Sequence, residues 1–136
     1  MLTLSLQLTS CGDGQTPEAL FRKAVLNPIP ASVQIINATR HPGAGDIEIW
    51  IHFKISPADF DTIWKSERYQ TLESASLNYS AYGPPDWWVP ERLGPNRSCY
   101  ACETKPHFGR DHSAKDIVVN AQQDEVLFLL RSWYNY

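Results

Sequence analysis

No stretch of this 136-residue chain holds the ~18 consecutive apolar residues that a membrane-crossing helix needs. It also lacks a basic surplus. Twelve Lys and Arg stand against 15 Asp and Glu, a formal net charge of −3. That balance argues against the phosphate-backbone contacts on which nucleic-acid binding rests, so no nucleic-acid partner is expected. Internal repeats and low-complexity tracts are missing. So are the Gly-x-Ser-x-Gly elbow, the His-Glu-x-x-His zinc motif and the glycine loop that cradles phosphate. Asp59 and Asp61 lie two apart in a segment read as helix and so do not share a face, which disqualifies them as a paired acid and base. No catalytic residue emerges, and the expectation is a protein that is not an enzyme.

What is present is enough apolar matter for a core. Hydrophobic residues make up 43% of the chain, with 5 Trp, 6 Tyr and 5 Phe among them. Disordered chains have the opposite balance, and the length suits one domain of roughly 100–200 residues. Two helix starts are legible. Thr16-Pro17-Glu18 and Ser56-Pro57-Ala58-Asp59 each offer a capping hydroxyl, a proline at the first helical position and an acid near the positive end of the dipole. Leu20, Phe21, Ala24 and Val25 give the first helix its apolar face, and Phe60, Ile63 and Trp64 give the second one.

Strands follow from period-two alternation. The clearest runs from Asp46 to Ile55: Ile47, Ile49, Ile51, Phe53 and Ile55 point to the core, and Glu48, Trp50, His52 and Lys54 point away. Residues 32–38 read as another strand, and 117–120 with 126–131 as a closing hairpin. The segment from Tyr69 to Pro95 reads as irregular. The expectation is an α+β domain over 16–136: a small antiparallel sheet of about four strands, two helices on one face, and a long aromatic-rich loop.

Three cysteines are an odd number, and each poses a separate question. Leu8-Thr9-Ser10-Cys11 has the form of a lipobox, which makes Cys11 a candidate for lipidation, with residues 1–15 as signal-like segment and spacer. The same stretch also alternates Leu2, Leu4, Leu6 and Leu8 with polar residues, as a half-buried strand would. Cys99-x-x-Cys102, with His107 and His112 beyond, has zinc-knuckle spacing, and four such side chains can close a tetrahedral shell. The competing reading is a small disulfide between Cys99 and Cys102 in an oxidising compartment. Trp87 and Trp88, with Tyr100, are candidates for a binding surface, unless the loop that carries the two indoles folds back and packs on the sheet. His52 is read as a structural histidine, covered along with Trp50 on the face opposite the isoleucines.

One order of pieces has a further implication. A cysteine closing a leucine-rich segment is followed by Thr-Pro-Glu-Ala-Leu-Phe, then Pro28-Ile-Pro-Ala-Ser-Val33, then a strand ending Trp-Ile-His-Phe-Lys. Ser-Pro-Ala-Asp-Phe-Asp, a Pro-Pro-Asp-Trp-Trp-Val-Pro-Glu loop and a terminal hairpin complete it. This order, over roughly Leu8 to Trp133, resembles a group of small lipoproteins found among cyanobacteria and other bacteria, to which no activity is attached. The resemblance implies export, an anchor through Cys11, and placement at the periplasmic or outer face of a membrane. The function expected is that of a protein-interaction or accessory subunit of a membrane complex, without a cofactor. The alternative is a cytoplasmic zinc-binding module built on Cys99, Cys102, His107 and His112.

Overall fold

The protein is described by a computed structural model covering residues 15–42, 47–72, 83–104 and 111–134. Its elements are α1 (Pro17–Ala24), β1 (Gln34–Pro42), β2 (Ile47–Lys54), α2 (Pro57–Ser66), β3 (Gln70–Leu72), a 3-10 turn (Pro90–Leu93), β4 (Ser98–Thr104), β5 (Asp111–Val119) and β6 (Glu125–Tyr134). All six strands join one antiparallel sheet in the order β1-β2-β6-β5-β4-β3.

Both helices begin where their sequences place the caps. The Ala19 N–H donates to Thr16 Oγ1 at 3.1 Å, and the Asp59 N–H donates to Ser56 Oγ at 3.2 Å. Each hydroxyl satisfies a backbone donor that the first helical turn leaves free, and Pro at the first helical position loses no helical bond. The start of α2 is also tied to the loop before β1. Ser32 Oγ donates to Asp59 Oδ2 at 2.5 Å, and the Ser56 N–H donates to Ser32 Oγ at 2.9 Å.

The expected four-strand sheet is corrected to six strands, and the layering is corrected with it. One face carries Leu20, Phe21 and Ala24 of α1 and Phe60 and Ile63 of α2 against Ile49, Ile51, Phe53, Ile117, Val119, Val126 and Phe128. A second apolar layer covers the opposite face, where Trp50, Val118, Leu127, Leu129 and Cys99 meet Trp88 and Leu93 from the segment 83–97. The middle of the sheet is therefore buried from both sides, not capped by helices over one, while the edge strands β1 and β3 stay partly exposed. β4 was hidden because its Cys-x-x-Cys run reads as a ligand loop. The first half of β5 was hidden because Ser113, Ala114, Lys115 and Asp116 are small or polar, not strand-like in composition.

β2 lies inside the sheet, flanked by β1 and β6, although the middle of the sheet is the β6–β5 pair. The β5–β6 hairpin closes through Asn120, whose Oδ1 accepts from the Asp124 and Glu125 N–H groups at 2.9 and 3.1 Å. Gln123 sits there at φ +58, a left-handed residue that lets the tight turn close. On the second face, a chain of turns shapes the cover. Trp88 N–H donates to the Pro85 carbonyl at 2.9 Å, Arg92 N–H to Val89, and Gly94 N–H to Glu91. Gly94 has φ +92, open to a residue without Cβ, and its carbonyl accepts from Arg97 Nη1 at 3.0 Å.

Candidate functional site

Side chains three apart on a strand point to opposite faces, and this decides the fate of the cysteine pair. Cys99 is buried in the layer with Trp50 and Trp88. Cys102 packs beside the helix-side core. Both are free thiols, and they cannot bond to each other or hold one ion together. His112 lies on β5 opposite Trp133, its ring stacked on that indole at 5.6 Å. Because Cys99 pairs with Val118, six residues further along β5, His112 is about 20 Å from Cys99 along the strand. His107 and Cys11 lie outside the described residues. Among the described residues no group of three His, Cys, Asp or Glu side chains is placed to hold a metal ion.

The thiols are also poor nucleophiles. Burial pushes the Cys102 thiol up to about 12, helped by Glu67, whose Oε2 accepts from Cys102 Sγ at 3.1 Å. Lys115 Nζ donates to the other oxygen of Glu67. Burial likewise raises Cys99. Tyr69 is raised by the same cause and stacks on Trp64.

The three aromatic candidates do not share a surface. Trp88 is 6% exposed and meets the fully buried Trp50 edge to face. Trp87 is half-buried over His52, ring centroids 6.4 Å apart, and His52 Nε2 lies 3.6 Å from Glu125 Oε2. Tyr100 sits on the other side of the sheet against Trp64, at 4.3 Å.

A different constellation was not foreseen. On the face opposite the helices, the register sets Arg131 of β6 between Glu48 of β2 and Ala114 of β5, and sets Asp116 of β5 between Leu129 of β6 and Ala101 of β4. Glu48 is 4% exposed and Asp116 5%, so the outward position of Glu48 on β2 is not a wet one. Glu48 Oε2, Asp116 Oδ2 and Arg131 Nε are buried without a hydrogen-bond partner. Burial pushes the Asp116 carboxyl up to about 6, and the Arg131 charge opposes that rise. Asp116 and Arg131 line a cavity of about 500 Å³ together with Gln70, Leu72, Ala101, Glu103 and Ala114. Alanines stand across from both charged residues, and their short side chains leave the hollow. The sequence did hold a signal: Ala114, Asp116 and Val118 alternate, which would have placed a carboxylate on an inward face had the strand been extended past Ile117.

A second hollow of about 380 Å³ lies near Ser32, Lys54 and Glu125. Its serines are committed to the Asp59 cap, where their hydrogen bonds hold that carboxyl below its ordinary value. Comparison of the chain with family models, with curated proteins and with solved structures finds no match.

Proposed function

We propose that this is a non-enzymatic binding domain of the bacterial envelope, tethered by a lipid on Cys11 and serving as an accessory subunit that engages a protein partner in or at a membrane. The observation that carries the non-catalytic part is the placement of Cys99 and Cys102 on opposite faces of β4. It commits the two most reactive side chains of the described chain to packing and to a hydrogen bond with Glu67. His52 packs against Trp87, and the Asp59 carboxylate accepts from Ser32 Oγ at the start of α2. The Leu8-Thr9-Ser10-Cys11 pattern and the resemblance to small bacterial lipoproteins support the anchor. Residues 12–15 separate Cys11 from the Thr16 cap, a reach of roughly 15 Å at full extension. A tether that short keeps the domain beside a membrane complex.

Mass analysis of the natively expressed protein tests the anchor. The expected N-terminus is an acylated Cys11, and Cys11→Ser releases the protein from the membrane fraction. A chain starting at Met1 with unmodified Cys11 sinks it. Cross-linking in intact membranes tests the partner: a single defined protein adduct is expected, and recovery of uncross-linked chain alone counts against a subunit role.

A further inference from the structure

A buried carboxylate oxygen and a buried guanidinium nitrogen, neither with a hydrogen-bond partner, lie beside one cavity on the face away from the helices. We infer that this cavity binds a small zwitterionic molecule, whose ammonium group donates to Asp116 and whose carboxylate accepts from Arg131. Three features point to this class. First, Asp116 is 95% buried by its 5% exposure, yet its Oδ2 accepts nothing, which leaves it short of a donor. An ammonium group supplies three. Second, Arg131 stands diagonally across the β5–β6 pair from Asp116, since Ala114 is opposite Arg131 and Leu129 opposite Asp116. Diagonal positions are about 7–8 Å apart at the backbone, a span that the two side chains close to the width of one small molecule carrying both charges. Third, the floor is made of Ala101 and Ala114, and the volume of about 500 Å³ falls in the range of small-molecule sites.

The remaining groups at the cavity sort the candidates. Leu72 offers an apolar patch on the β3 side, and Gln70, Glu103 and Arg68 are exposed polar groups there. An amino acid or the end of a short peptide meets these requirements; a lone metal cation does not, because Arg131 repels it. With its carboxyl pushed up to about 6, Asp116 is mostly ionised at neutral pH and able to hold an ammonium group.

The test uses the full-length chain and a panel of the 20 free L-amino acids, each with its N-acetyl and methyl ester derivative, followed by short unmodified dipeptides. Binding is read from backbone amide shifts. At least one free amino acid or dipeptide should shift amides of β4, β5 and β6 in a saturable way. Comparing those two arms tells a free amino acid from a peptide end. N-acetylation or methyl esterification should each weaken binding by about tenfold or more, the usual effect of leaving a charged hydrogen-bonding group without its partner. Asp116→Asn should do the same by removing charge without changing shape. Ala101→Leu should also do it by filling the floor while leaving both charges in place. No saturable shift from any member of the panel overturns the inference. So does binding that survives both Asp116→Asn and Ala101→Leu. Neither failure touches the Cys11 anchor, which is read by mass alone.

Discussion

Trp50 and Trp88 meet edge to face, ring centroids 4.7 Å apart and planes at 81°, across the gap between β2 and the proline-rich segment. The contact joins a fully buried side chain of the sheet to a loop that has no ladder of its own. Aromatic pairs in this geometry add to what area burial alone contributes. Trp88 is thus the pin that holds the second apolar layer over Leu127, Leu129 and Val118.

Truncating that pin should be costly, and the neighbouring indole supplies the control. Trp88→Ala removes a large buried ring from a packed layer and should destabilise the fold by about 3–5 kcal/mol. Trp87→Ala, at a half-buried position over His52, should cost less than half as much. Trp88→Phe should fall near the wild type. It keeps an aromatic ring and removes the indole N–H, which is buried without an acceptor. Urea melts order the three variants; a Trp87→Ala midpoint as low as that of Trp88→Ala would mean the loop is not pinned through Trp88.

The cysteines give a second prediction. Thiol reagents attack thiolates, and burial disfavours that form at both Cys99 and Cys102. In a Cys11→Ser background, both thiols should stay unmodified for hours in native buffer at pH 8 and react within minutes in urea. Mild oxidation should leave the mass unchanged, because the β4 backbone directs them to opposite sides. A native Cys99–Cys102 disulfide found by peptide mapping would contradict the strand assignment of β4.

How much of this was legible depends on what each segment had to bury. The Ile49, Ile51 and Phe53 alternation announced β2 because one face of that strand is wholly apolar, and the two caps were legible because Thr16-Pro17 and Ser56-Pro57 act locally. β4 and the start of β5 were not legible. Their side chains on the second face include Cys99, Ala101, Ala114 and Asp116, which sit under a folded-back loop or beside a cavity. No local period distinguishes a buried alanine above a hollow from a loop alanine. Glu48 does point away from the isoleucine core, but its burial could not be read from β2 alone. Its charge marks a wet face only when nothing from elsewhere in the sequence covers it, and here it is buried across from Arg131.

The last prediction concerns pH and isolates Asp116. Its carboxyl titrates near 6 in the folded protein, against an ordinary value of 3.8, mainly because burial disfavours the charged form. The folded state therefore binds more protons than the unfolded state between those two values, so stability must fall as pH rises through that window. Below about pH 3 the group is neutral in both states and contributes nothing adverse. Well above 6 it is ionised in both, and the full penalty applies, on the order of 3 kcal/mol for a carboxyl raised from 3.8 to about 6. Charged and titratable groups on the same face include Glu48, His52 and Lys54 on β2, Glu125 and Arg131 on β6, Glu103 on β4 and His112 on its own strand. Of these, Arg131 is the one whose charge opposes the shift. Asp116→Asn mimics the protonated form at every pH. Its urea midpoint should match the wild type at about pH 3 and exceed it at about pH 7.5, with most of the gap opening between about pH 4 and pH 6. Other groups, Asp59 among them, act in the opposite direction, since its carboxyl is held low by Ser32, but they are common to both proteins and cancel in the difference. A constant gap across the whole range would mean that Asp116 is solvated in the folded protein, and the cavity beside it would then be open water with no buried carboxylate to offer a ligand.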